Sequence, residues 1–394
     1  MRERTAGTML AIAAAAALLA AGCSTGSSDS PASGPASSSG TGSLSAAAMS
    51  QLQAKIDKYR AVPTFTAPGP PIHVASLKGK RIFIVPETNN VFNNVNVAQM
   101  KAIATEVGMT ATVYDNQGTS AQWVQGMETA ISEHVNLIVL ANAPDPRALQ
   151  PQLAAAKAAG IPVVVTHFYD DSTPPPPRCE ACAAGVTALE TAPFDTAAQL
   201  LADWVILKSK GNVNALIPIV GGVIPTPGME EAIKQQFATY CPKCSYKFIN
   251  IPLADFASSN LANDIQASVS GDTKANWIID QLDSMVPATI SAINTAGRAG
   301  KINVVGYNGS TFAIKDVQSS SPMVMDVGES APWIGYATMD QVFRVLLRKP
   351  TVRESAPVRI FDSTNAADAG SPPSLTQGYG DSYVAGFKKL WGLS

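Results

Sequence analysis

The residues with the widest chemical repertoire in this 394-residue chain are five cysteines and three histidines. Four cysteines fall into two pairs of equal spacing, Cys179-x-x-Cys182 and Cys241-x-x-Cys244. Such pairs bind zinc as tetrahedral thiolates, close disulfides, or exchange disulfides when one thiolate sits at a helix N-terminus. His73, His134 and His167 are too few and too scattered for a multi-histidine catalytic metal centre. The chain has no Gly-Lys-Ser/Thr phosphate loop, no Gly-x-Ser-x-Gly elbow and no His-Glu-x-x-His helix. Gly221-Gly222 reads as a short turn after a strand, not as a dinucleotide fingerprint. An enzyme is therefore not expected, and neither a metal nor a cofactor.

The N-terminus bears on the cysteine chemistry. Arg2 and Arg4 precede an almost wholly apolar stretch over residues 8–21, too short for a membrane span and suited to a secretory signal. It ends in Leu19-Ala20-Ala21-Gly22-Cys23, which resembles a bacterial lipobox. Residues 1–22 are the expected lipoprotein signal peptide and Cys23 the expected lipidation site. An ordinary signal that happens to contain a cysteine is the alternative. Residues 23–48 are mostly Ser, Gly, Ala, Thr and Pro and read as a flexible tether reaching about 25–30 Å. Outside the membrane thiols oxidise, which favours disulfides over zinc or redox exchange. Four cysteines allow three pairings.

Composition narrows the class further. With 46% hydrophobic and 15% charged residues the chain must fold around a core. A net charge of −2 leaves no basic footprint for nucleic acid, and 7% aromatics are too few for a row of base-stacking platforms.

Hydrophobic patterning then supplies the elements. Helical spacing over residues 49–60 is followed by a Pro-rich segment. Strands are expected at 81–85, 110–114, 136–140 and 162–166, alternating with helices at 93–107, 119–133 and 146–159. The alternation repeats, with helices at 197–209, 229–240, 260–269 and 287–296 and strands at 213–220, 246–251, 277–280 and 303–306. A helix at 333–347 and a strand at 358–361 close it. The expected fold is α/β, with two Rossmann-like lobes, each a parallel sheet flanked by helices. Ligands of open α/β sheets bind at the carboxyl ends of strands, so two such sheets suggest a cleft between them.

Several segments resemble the ribose/galactose class of type I periplasmic binding proteins, the solute receptors of sugar ABC importers. They are Lys78-Gly79-Lys80-Arg81-Ile82-Phe83-Ile84-Val85, Ala156-Lys157-Ala158-Ala159-Gly160-Ile161-Pro162-Val163-Val164, Val304-Val305-Gly306-Tyr307-Asn308-Gly309 and Ala331-Pro332-Trp333-Ile334-Gly335. The resemblance runs over about residues 75–365. With a lipobox and tether it is typical of actinobacterial solute-binding lipoproteins. It implies a hinge of three crossings. The implied parts are a lead-in over 49–74, an N-lobe of 75–192 plus 329–356, a C-lobe of 193–328 plus 357–370, and a tail over 371–394. It also implies a small, largely neutral, sugar-like solute, an ABC permease as partner, membrane attachment through the lipid, no nucleic acid and a monomer. A sensor domain for a membrane signalling partner is the alternative, and an exported redox or hydrolytic enzyme is less favoured.

The pocket departs from the family pattern. His167-Phe168 stands where the family commonly has Asp-Arg, Leu282 precedes Asp283 in place of Asn, Asn308 replaces Asp, and Glu329 replaces Gln. The expected solute contacts are Asn90, Phe92, Asn93, His167, Phe168, Asp283, Asn308, Glu329 and Trp333. Each has a plainer alternative. Phe92 and Trp333 stack on a solute or pack a helix start, and Asn90 and Asn93 reach the solute or cap a helix. Asp283 accepts from hydroxyls or caps, Asn308 binds or forms an Asn-Gly turn, and Glu329 binds or bridges the lobes. The expected disulfides are Cys179–Cys182, on the approach to the hinge, and Cys241–Cys244, after a C-lobe helix.

Overall fold

The structure is a computed structural model and describes residues 44–142, 144–176, 178–179, 185–256, 258–319 and 321–393. The expected signal peptide, Cys23, most of the tether and Cys182 lie outside the described residues. Helix α1 (Ala46–Arg60) begins behind Ser45, whose side chain accepts from Ala48 N. Strands β1 (Arg81–Pro86), β2 (Thr110–Val113), β3 (Leu137–Ala141), β4 (Val163–Asp170) and β5 (Val186–Ala192) form a parallel sheet in the order β2-β1-β3-β4-β5. Helices α2 (Val91–Glu106), α3 (Ser120–Ser132) and α4 (Gln150–Ala158) cover it. Every residue of β3 is buried, as a parallel strand covered on both faces requires.

The second sheet contains β6 (Asn214–Val220), β7 (Ser245–Ile251), β8 (Trp277–Ile279), β9 (Asn303–Asn308), β10 (Met323–Glu329) and β11 (Val358–Asp362), in the order β11-β10-β9-β8-β6-β7. It is parallel except at β11, which runs antiparallel to β10 at one edge. Helices α5 (Phe194–Lys208), α6 (Thr226–Tyr240), α7 (Leu253–Phe256), α8 (Asn260–Gly271), α9 (Val286–Thr295) and α10 (Thr311–Val317) belong to this half. Helix α11 (Ala331–Leu346) returns to the first sheet, and α12 (Ser382–Trp391) follows it there. Each sheet divides two apolar layers, so each lobe has its own core.

Strands β5 and β10 have no counterpart among the expected strands. Both carry acids in their interiors, Glu190 in β5 and Asp326 and Glu329 in β10, and all three side chains are buried. Those acids break the apolar run by which a buried strand is recognised.

The chain passes between sheets after β5, after β10 and between α11 and β11. The first and third passages touch, where Thr191 N donates to Glu354 O at 2.9 Å. Three crossings are not the full number, however. Leu52 and Ile56 bury α1 against the second lobe before β1 opens the first. The segment 371–394 is not a free tail, because α12 docks on the first lobe. There Trp391 stacks on Tyr336 at 5.6 Å and its indole Nε1 donates to Asp340 Oδ1 at 2.8 Å. The amphipathic spacing of Tyr383, Phe387, Leu390 and Trp391, all buried, accounts for the docking. Cys241 and Cys244 form a disulfide between the end of α6 and the start of β7.

Candidate functional site

The carboxyl ends of the strands in the two sheets meet. β4 delivers His167, β9 delivers Tyr307 and β10 ends at Glu329. His167 Nε2 lies 2.6 Å from Glu329 Oε2, and the Tyr307 hydroxyl donates to the same oxygen at 2.7 Å. His167 N donates to Glu190 Oε2 at 3.1 Å. The His167 ring lies 5.6 Å from Phe92 and 5.4 Å, edge-on, from Phe194, whose ring is 6.0 Å from Tyr307. His167 holds a left-handed backbone, φ 49°, uncommon for residues other than Gly although His adopts it more often than most. Rings and carboxylates of the chain itself therefore fill the hinge-side part of the interface.

Burial sets the electrostatics here. Desolvation, and then the charge of Glu329, drives the Glu190 carboxyl well above its ordinary range. The Tyr307 hydroxyl rises for the same two reasons. Asp171 and Asp195 are pushed up to about 6, first by desolvation and then by the neighbouring charge of Asp170. Asp170 Oδ2 accepts from Asp195 N at 2.9 Å, tying the end of β4 to the first turn of α5.

The expected contact residues divide into groups. Phe92, His167 and Glu329 come together. Asn90 caps α2, accepting from Asn93 N at 2.8 Å. Asn93 is buried, donates to Thr88 O at 2.9 Å and accepts from Asn142 Nδ2 at 2.8 Å, so it holds the loop ahead of α2. Asn308 ends β9, half-buried, with φ 141°. Asp283 is fully buried and accepts from Ser310 N at 2.7 Å, beside Asp326. Desolvation raises both carboxyls, and the Asp283 charge beside Asp326 adds to the rise there. This pair belongs to the C-lobe interior.

Two expectations need correction. Phe168 packs edge-on against Tyr169 at 5.1 Å within the core of the first lobe, at a break in β4 where the register shifts between Thr166 and Asp170 and His167 takes a left-handed backbone. Trp333 is stacked on Tyr383 at 4.5 Å and flanked by Phe65, so α12 and the lead-in occupy the ring that was expected to cover a solute.

A cavity of about 370 Å³ opens where Arg147 meets the turn after β6. Arg147, after β3, lines it from the first lobe; Gly221, Gly222, Thr226, Glu230 and Asn250 line it from the second. Arg147 Nη2 donates to Gly222 O at 3.1 Å, joining the lobes, and Asp145 grips the same guanidinium at 2.6–3.0 Å. Ile224, from the same turn as Gly222, packs against the core of the first lobe. None of these residues was among the expected contacts. The available signal was Gly221-Gly222 at the end of β6, where φ of Gly222 is 84°. Neither Arg147 nor Asn250 stands out in sequence, since each becomes a cleft residue only when the lobes meet.

Residues 81–350 match the periplasmic binding protein domain family. No curated protein sequence matches the chain. Similar solved structures include an ABC sugar transporter subunit from Rhodobacter sphaeroides, with TM-score 0.62 and 18% identity, covering 73% of this chain and 100% of that one. A solute-binding protein from Agrobacterium vitis bound with alpha-D-tagatopyranose has TM-score 0.63 and 16% identity, with 73% and 96% coverage. One from Mycobacterium smegmatis with bound glycerol has TM-score 0.63 and 18% identity, with 76% and 99% coverage. The latter two are solute-binding proteins of ABC transporters. With two α/β lobes whose strand ends meet across an interface, and a family match over most of its folded length, this chain belongs to the periplasmic binding protein domain family.

Proposed function

We propose that the protein is an extracytoplasmic solute receptor, held to the outer face of the membrane through a lipid on Cys23. It captures a small, largely neutral polar solute between its lobes and delivers it, as a monomer, to an ABC permease. The observation that carries the reading is the meeting of two sets of strand ends, at His167–Glu329 and at Arg147–Gly222. An interface tied at two places can part and re-form around a solute, and closure then shifts the population toward the solute-bound form. The solutes held by the structural neighbours from Agrobacterium vitis and Mycobacterium smegmatis, a ketohexose and glycerol, are neutral and polyhydroxylated. A lipid on Cys23 fits the lipobox-like residues before it and the Ser/Gly-rich stretch after it.

The test is thermal unfolding of residues 44–394, stripped of bound solute by unfolding and refolding, against neutral sugars and polyols. At a hundredfold excess over Kd a ligand adds about 2.7 kcal/mol to stability, which raises Tm by several degrees. One solute class that does this without being consumed supports the receptor. Silence across all neutral sugars and polyols overturns it.

A further inference from the structure

We infer that the two terminal segments of this chain form an outer band across the hinge, and that this band holds the solute-free lobes near the closed arrangement. The inference rests on the receptor reading for what the motion serves. The motion itself is measured without any solute, so either can fail alone.

Both segments are docked at each end, on opposite lobes. Helix α1 lies on the second lobe through Leu52 and Ile56, and Lys55 pairs with the buried Asp203 of α5 at 2.7 Å. Where α1 ends, Arg60 Nε donates to Asp362 Oδ2 at 2.9 Å, and Arg60 O accepts from Arg359 Nε at 2.8 Å; both partners belong to β11. The next ring in the chain, Phe65, already packs on the first lobe, 4.7 Å from Phe387 and 6.4 Å from Trp333. Ile72 N then donates to Leu390 O at 2.8 Å, and Arg344 Nη2 donates to Pro70 O at 3.2 Å. The C-terminal segment runs the same way. Tyr379 lies in the core of the second lobe, edge-on to Phe361 at 5.3 Å, and Arg359 donates to Gly378 O. Tyr383 lies in the core of the first, stacked on Trp333.

The two spans between lobes, residues 61–64 and 380–382, run side by side. Phe65 N donates to Ser382 Oγ at 3.1 Å. A Cβ on Gly380 would come within 2.8 Å of Val62 Cγ1, and one on Gly386 would overlap the Phe65 ring, so glycines permit the close approach. The spans are also joined to the inner hinge. Tyr383 lies against Ser330, in the passage after β10, and Arg359 follows the passage between α11 and β11. The first and third passages are themselves tied through Thr191 and Glu354. All the passages between the lobes thus form one connected layer.

Span length decides what this layer allows. An extended chain reaches at most about 18 Å from Arg60 to Phe65 and about 14 Å from Tyr379 to Tyr383. Spans this short have little slack. A wide swing or a twist of one lobe against the other has to pull Arg60 from Asp362, Phe65 from Phe387 or Tyr383 from Trp333. Small rotations about the band remain. The arrangement tied at His167–Glu329 and Arg147–Gly222 is then the resting one, and a solute enters through limited openings.

The experiment measures lobe separation in the full chain, in detergent and without solute, by pulsed electron spin resonance. Spin labels are carried on unnatural residues at the exposed positions Glu128 of α3 and Ser270 of α8. Gly/Ser stretches of about four residues, inserted after Pro63 and after Gly380, each add up to about 14 Å of reach and leave the docked ends intact. The same stretch inserted after Gly300, at an exposed turn of the second lobe, is the control. Wild type and control are expected to give one narrow distribution. The lengthened chain is expected to give a wider one, its mean longer by at least about 5 Å within the reach that the insertions add. Phe65→Leu and Ser382→Ala loosen the spans without adding chain and should widen the distribution too. They decide the matter if the insertions prevent folding, which the Tm of each variant reads. Equal distributions in wild type and the lengthened chain, or in wild type and both point variants where the lengthened chain does not fold, overturn the inference and leave the receptor reading standing. Widening in the control as large as in the lengthened chain also overturns it. A receptor reading that fails its own solute screen leaves the band in place.

Discussion

His167 Nε2 and Glu329 Oε2 lie 2.6 Å apart, although one residue belongs to the first sheet and the other ends a strand of the second. Tyr307 completes the tie from a third strand end. His167→Ala removes one partner and leaves the buried Glu329 with Tyr307 alone. A cost of about 1–3 kcal/mol is expected, with a larger radius of gyration in solution scattering as the lobes part. Unchanged Tm together with unchanged scattering would show that the contact does not hold the lobes.

Buried carboxyls make stability depend on pH. Desolvation pushes Asp280 up to about 8, from an ordinary value of 3.8, with the charge of Asp283 adding to the rise and a hydrogen bond from Thr289 opposing it. The folded form then keeps a proton that the unfolded chain releases above about pH 4. Its stabilising contribution is full below that pH and falls as pH climbs toward 8. Asp326, also raised, acts in the same direction. Urea unfolding should therefore give a higher midpoint at pH 5 than at pH 8. Asp280→Asn keeps an acceptor for Thr289 and should flatten that slope. An equal slope in the variant would remove Asp280 as its source.

The last helix is structural. Trp391 is 1% exposed, stacks on Tyr336 and donates to Asp340, which also pairs with the buried Arg344 at 2.6 Å. Trp391→Ala is expected to cost about 3–5 kcal/mol, and deletion from Gly380 onward to expose α11 and abolish cooperative unfolding. Calorimetry of the two variants checks this, and a deletion variant that melts like wild type would refute it.

The Cys241–Cys244 bridge closes a loop of very few residues, so reduction returns little chain entropy to the unfolded state. A double Cys→Ser variant should lose about 2 kcal/mol while keeping wild-type solute affinity. A loss of binding with little loss of stability would point to a role in the site instead.

Much of the fold can be read along the chain, because its strongest strands announce themselves locally. Ile82–Val85 and Leu137–Ala141 are unbroken apolar runs, and glycines such as Gly108 and Gly160, both at positive φ, close the helices before them. β5 and β10 escape that reading because Glu190, Asp326 and Glu329 sit inside them. A buried acid is tolerated only where a partner is present, and the partners of Glu329 lie on β4 and β9.

The candidate site divides in the same way. Phe92, His167 and Glu329 are visible from their places at strand ends and helix starts. Trp333 has the same signature, yet Tyr383 covers it; the spacing of α12 shows an apolar face but not that the face docks on Trp333. Arg147 reads as half of a surface pair with Asp145 until Gly222 of the other lobe meets it. The sequence by itself determined the α/β repeat, the apolar strands, the signal-like N-terminus and the cysteine pairs, all of which follow from local composition and period. Only the tertiary structure decided which carboxylates share partners, which rings are covered and where the lobes leave space. Those depend on groups far apart in the chain, and burial fixes their energies only after the lobes have closed.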